Sequence, residues 1–181
     1  MLALTSWLAG CNFATGQQGK DLPMTQTNMT LWQAIDTLVQ QIPFTRANIE
    51  HVLATQLFEE DSSRNPILNR EFRFYIGGPV KLSDGMTISK VDLRIRHKPG
   101  HPGFLVLNLD GACTDLNAVR EHYGDLKVTD RPRGISLDEV TSYSAVLQWG
   151  KLSFSFKERN PNCLSSVAFK PVLLDVDSTV K

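Results

Sequence analysis

The apolar residues of this chain change period from helical to two near Arg70, and that change constrains the fold more than any other feature of the sequence. Before it they recur every third or fourth position. Leu31, Ile35, Leu38, Val39 and Ile42 follow Thr30, a good N-cap residue, and Pro43 ends the segment. Thr45 opens a second helical pattern through Ile49, Val52, Leu53 and Leu57, and so short a break favours a helical hairpin. The stretch from Glu59 to Pro66 reads as a solvated loop.

After the change the period is two, which is the side-chain repeat of a strand. Phe72, Phe74 and Ile76 alternate with Arg73 and Tyr75 until Gly77-Gly78-Pro79 breaks the run. Val91, Leu93 and Ile95 alternate with Asp92, Arg94 and Arg96, so one face is core and the other is wet. Phe104 to Leu109 is nearly continuously apolar and suits a central strand. A third helix is expected through Leu116, Val119 and Tyr123, capped by Thr114 or Asp115 and stopped by Gly124. Asp130 to Gly134 reads as loop, with Ser136 as the cap of a short turn. Strands resume through Tyr143, Ala145 and Leu147, then Leu152, Phe154 and Phe156 across a tight turn at Trp149-Gly150-Lys151, then Val167 and Phe169. The expected fold is α+β: a helical hairpin and a third helix on one face of a mainly antiparallel sheet of about six strands, in the order ααβββαβββ.

The charges exclude some partners. Nineteen basic residues balance nineteen acidic ones, which leaves no electrostatic footprint for nucleic acid. Catalytic patterns are also missing. Gly134-Ile135-Ser136-Leu137-Asp138 lacks the second glycine of a nucleophile elbow, and no phosphate-cradling glycine loop occurs. His97 and His101 form a close pair, but no third ligand lies near them in sequence, so exposed turn histidines are the expectation and no metal or cofactor is assigned. Asp115 is expected to cap its helix rather than act with Asp110 as a catalytic pair. The reading is of a protein that is not an enzyme.

Binding is the better prospect. If Phe72, Phe74, Val91, Leu93 and Ile95 face the core, Arg73, Tyr75, Arg94 and Arg96 share the opposite face, and Tyr and Arg are enriched at interface hot spots. The plainer alternative is a solvated face with charge pairs such as Asp92 with an arginine.

At the N-terminus, the apolar run Leu2 to Leu8 is followed by Leu8-Ala9-Gly10-Cys11. This resembles the processing site of bacterial lipoprotein precursors, in which the segment before the cysteine is a signal peptide and the thiol carries lipid. The nine-residue segment Met1 to Ala9 falls short of the ~20 apolar residues that span a bilayer. The resemblance implies a signal segment at 1–10, lipidation of Cys11, and, because Asn12 rather than Asp follows, the periplasmic face of the outer membrane. Residues 11–28 are polar and read as a flexible tether, 29–171 as one domain, and 172–181 as a fraying tail. With Cys11 lipidated, Cys113 and Cys163 remain as an even pair in an oxidising compartment, and a disulfide is expected; two separate thiols are the alternative.

The overall design, one stapled domain on a lipid tether without a visible active site, resembles the immunity lipoproteins that protect bacteria from type VI secretion effectors such as phospholipases or peptidoglycan enzymes. That resemblance implies a cognate toxin as partner. A structural accessory lipoprotein of outer-membrane assembly is the alternative.

Overall fold

The computed structural model describes residues 23–60 and 71–172 of the 181. The expected signal segment 1–10, Cys11, the tether up to residue 22, the loop 61–66 and the tail from 173 lie outside the described residues.

Local chemistry sets the helices where the pattern placed them. Helix α1, Leu31–Val39, starts on a capping box in which Thr30 accepts from the Gln33 amide and Gln33 reaches back to the Thr30 amide. A second tie is distant in sequence: the buried Leu31 N–H donates to the Asp84 carboxylate at 2.7 Å, and the same carboxylate accepts from Met86 N at 3.1 Å. Helix α2, Arg46–Leu53, is capped by Thr45, and Ala54 ends it in the left-handed region at φ 49°. Leu57, expected in the apolar stripe of this helix, lies beyond that reversal and is fully buried as the first residue of strand β2, Leu57–Glu59. Its amide donates to the Glu50 carboxylate at 2.8 Å. Helix α3, Leu116–Tyr123, is capped by Asp115, which accepts from Ala118 N at 2.8 Å.

The sheet has ten strands rather than about six. Besides β2 they are β1 (Thr25–Gln26), β3 (Phe72–Gly77), β4 (Val80–Lys81), β5 (Met86–Arg96), β6 (Phe104–Gly111), β7 (Lys127–Asp130), β8 (Val140–Leu147), β9 (Gly150–Lys157) and β10 (Leu164–Pro171). The four unexpected strands, β1, β2, β4 and β7, are two to four residues long, too short for alternation to register. Strand β1 pairs in parallel with β4 and the other pairings are antiparallel. The end of the expected tether is therefore held in the sheet. Val172, placed in the expected tail, donates its amide to the Trp149 carbonyl at 3.0 Å. The main path runs β1-β4-β5-β6-β10-β9-β8-β7, and the eleven residues of β5 carry β4 and then β3 along one edge.

Register divides the sheet into two faces. Val91, Leu107, Val167, Phe154 and Tyr143 form one row across five strands, and Leu93, Leu105, Phe169, Leu152 and Ala145 form the next. These rows join Leu31, Ile35, Leu38, Ile49, Leu53 and Val119 of the helices in one core. Burying each such side chain contributes about 1.5–3 kcal/mol. The outer face is built differently. On β8 and β9 it carries small hydroxyl residues that satisfy one another, Ser142 with Ser155 at 2.9 Å and Ser144 with Ser153 at 2.8 Å. At the sheet end where β6 stops, Cys113 and Cys163 are joined in a disulfide with Cα atoms 4.9 Å apart, tying the start of α3 to the start of β10.

Candidate functional site

Register also decides which side chains can act together. Phe74 of β3 lies opposite Arg94 of β5, which lies opposite Phe104 of β6, and Phe72 lies opposite Arg96. On the outer face this places two guanidinium groups over three phenylalanine rings. Arg94 stands 5.5 Å from the Phe74 centroid and 5.3 Å from that of Phe104, and Arg96 stands 5.2 Å from that of Phe72. Such contacts are worth about 0.5–1 kcal/mol at exposed sites and more when desolvated. The rings are half-buried because arginines cover them, where helices cover the opposite face.

Alternation places Phe72 and Phe74 in the core and groups Arg73 and Tyr75 with Arg94 and Arg96; the register of β3 reverses this. Tyr75 instead pairs with Leu93 and is buried in the core, with the Arg46 guanidinium 5.7 Å from its ring centroid. Arg73 pairs with Ile95 on that same side, and its exposed side chain is separated from the two outer arginines by the sheet. The run Phe-Arg-Phe-Tyr-Ile holds bulky residues at both parities, so alternation alone cannot say which set faces the helices; a one-residue choice moves every side chain to the other face.

Arg94 and Arg96 line a hollow of about 340 Å3, together with the phenylalanine rings, His101 and Lys170. Arg94 is committed: its Nε and Nη2 donate to the two oxygens of Asp92 at 3.1 and 2.8 Å. Those bonds to Asp92 raise its pKa further, against the opposing effect of burial. The charge pair expected for Asp92 is thus present, along one strand instead of across two. Arg96 meets Glu71 at 3.5 Å, with both side chains substantially exposed. His101 turns its ring edge to Phe72 at 6.2 Å and accepts from Gly103 N through Nδ1 at 3.0 Å. Burial, and then the Arg96 charge, hold its pKa below the ordinary histidine value. The neutral ring therefore carries its proton on Nε2, a hydrogen-bond donor. His97 and His101 do not join a metal-binding cluster: among the described residues no group of three His, Cys, Asp or Glu side chains is placed to hold an ion.

Sequence reasoning missed a second surface. In the loop between β7 and β8, Glu139 accepts the backbone amides of Arg133, Gly134 and Ile135 at 2.8, 2.9 and 3.2 Å. Ser136 caps the turn as expected, accepting from Asp138 N at 3.1 Å. Asp138 in turn meets Arg159, and Lys157 at 3.5 Å. The loop so fixed presents Ile135 and Leu137, 80% and 66% exposed. A glutamate four to six residues after the amides that it binds is the only signal in the sequence, and it is a weak one.

No family model, curated protein or solved structure matches this chain.

Proposed function

We propose that this chain is a non-catalytic binding protein, lipid-anchored through Cys11 on the periplasmic face of the bacterial outer membrane, and of the immunity type: it binds and neutralises a secreted antibacterial toxin. The observation that carries the binding part is the hollow on the outer sheet face. There cations and aromatic rings, the residue types enriched at interface hot spots, stand on the face opposite the described helices. An inhibitor needs a rigid complementary surface rather than chemistry of its own, and a face of hydrogen-bonded strands with β5 paired to β3 and to β6 is such a surface. The Cys113–Cys163 disulfide accords with an oxidising compartment.

Affinity purification of the full chain from envelope fractions, followed by mass spectrometry, tests the reading. A stoichiometric toxin, and sensitivity to that toxin in cells lacking the gene, are expected. Recovery of barrel-assembly components without a toxin would replace it with the assembly alternative. The anchor is tested separately by Cys11→Ser, which should release the protein from membranes.

A further inference from the structure

We infer that the hollow takes the carboxylate of one acidic side chain on the partner protein, held by Arg96, Lys170 and His101, with the apolar neighbours of that side chain against Phe72 and Phe104. This rests on the binding-protein reading above and names what that site recognises.

The argument is one of charge and of which donors remain open. Arg94 is neutralised by two bonds to Asp92 and serves as a lid over its rings. Arg96 is held only loosely by Glu71, whose side chain is 63% exposed, and its guanidinium carbon stands 5.2 Å from the Phe72 centroid. A guanidinium presents a planar fork of donors that matches a carboxylate. Lys170 has no ion pair among the described residues and lines the same hollow. His101, with Nδ1 engaged by Gly103 N, keeps Nε2–H as its remaining donor and lines the same hollow. Three donor-bearing side chains thus line one hollow in a chain whose total charge is zero, and an anion is the complement they lack. A single side chain fits better than an anionic lipid surface. Glu71 stands at the rim against Arg96 and Glu60 close enough to act on Arg94, so a plane of negative charge would press on both, whereas one carboxylate reaches between them.

The test is an NMR titration of the full chain carrying Cys11→Ser, with acetyl-Leu-Glu-Leu-amide and its neutral isostere acetyl-Leu-Gln-Leu-amide as probes. The glutamate peptide should shift the Gly103 amide and the Arg96 Nε–H saturably. The glutamine peptide should bind at least about fivefold more weakly, the scale of one charge-assisted hydrogen bond in a partly exposed site. Lys170→Ala alters an exposed side chain and leaves the fold intact; it should weaken the glutamate peptide by about the same factor and leave the glutamine peptide unchanged. Equal binding of the two peptides, or binding indifferent to Lys170, overturns the inference. So does a silent peptide alongside Lys170-dependent sedimentation with phosphatidylglycerol vesicles, which would assign the hollow to lipid. The titration requires no toxin, so carboxylate selectivity in a protein whose loss leaves cells resistant would refute the immunity reading alone.

Discussion

Replacing both Cys113 and Cys163 by Ser should cost the domain about 4 kcal/mol of stability. The bridge closes a loop whose ends are 50 residues apart in sequence, and on the chain-entropy model that length restricts the unfolded chain by about 14 cal/mol/K, or about 4 kcal/mol at 25 °C. The native state gives little of this back. The Leu164 amide still donates to the Thr114 carbonyl at 2.8 Å, one residue beyond each cysteine, so α3 and β10 stay docked when the sulfurs are gone. The effect therefore lies mainly in the unfolded ensemble. Urea unfolding of the wild-type and double-serine proteins measures it, and the melting temperature should fall by roughly 10–15 °C for a domain of this size. Because the reduced chain exposes more surface when unfolded, its m-value should rise. A loss below about 1 kcal/mol with an unchanged native spectrum would refute the reasoning. It would mean that the unfolded chain already holds Cys113 and Cys163 together.

Asp84→Ala leaves the buried Leu31 amide without its acceptor and frees Met86 N; a loss of about 1–3 kcal/mol is expected in urea unfolding, and Asp84→Asn should recover part of it. His101 titrates below the ordinary histidine value in the fold because of burial and Arg96, so the unfolded chain takes up its proton first as pH falls. Stability should therefore decline as pH drops through 6.5 toward the folded value, and a pH series of urea midpoints on His101→Gln that kept the same slope would contradict this. Burial works against ionised Glu139, but the bonds from Ile135, Arg133, Gly134 and Ser136 outweigh it and keep its pKa below 4.5. The stabilising effect of those bonds is thus fully present above pH 4.5 and lost as pH falls through the lower folded value. Hydrogen exchange should show the Arg133, Gly134 and Ile135 amides losing protection over that acid range, and in Glu139→Gln losing part of it at neutral pH.

Much of the fold was legible because it follows from short-range chemistry. Thr30, Thr45 and Asp115 cap the three helices of the described residues, since a side-chain oxygen two or three residues before an unpaired amide finds it wherever the rest of the chain goes. The long strands show themselves because a pattern accumulates over eight or more residues: alternation in β5, β8, β9 and β10, and a continuous apolar run in β6. Strand β1 exists only because it finds β4 more than fifty residues away, and no local pattern announces that partner. The site was half legible. Alternation reads Arg94 and Arg96 as outward-facing, but it places the phenylalanines that hold them in the core and Tyr75 on the surface, the reverse of the register.

The sequence by itself determined the α+β class, the three described helices with their caps, and the cysteine pair available for a bridge, because each depends on residues a few positions apart or on counting. The tertiary structure alone decided the parity of β3, the ten-strand order and the hollow in which Arg96, His101 and Lys170 converge. Parity is a choice between two faces that differ by one residue of register, and the packing of the whole sheet against its helices settles it.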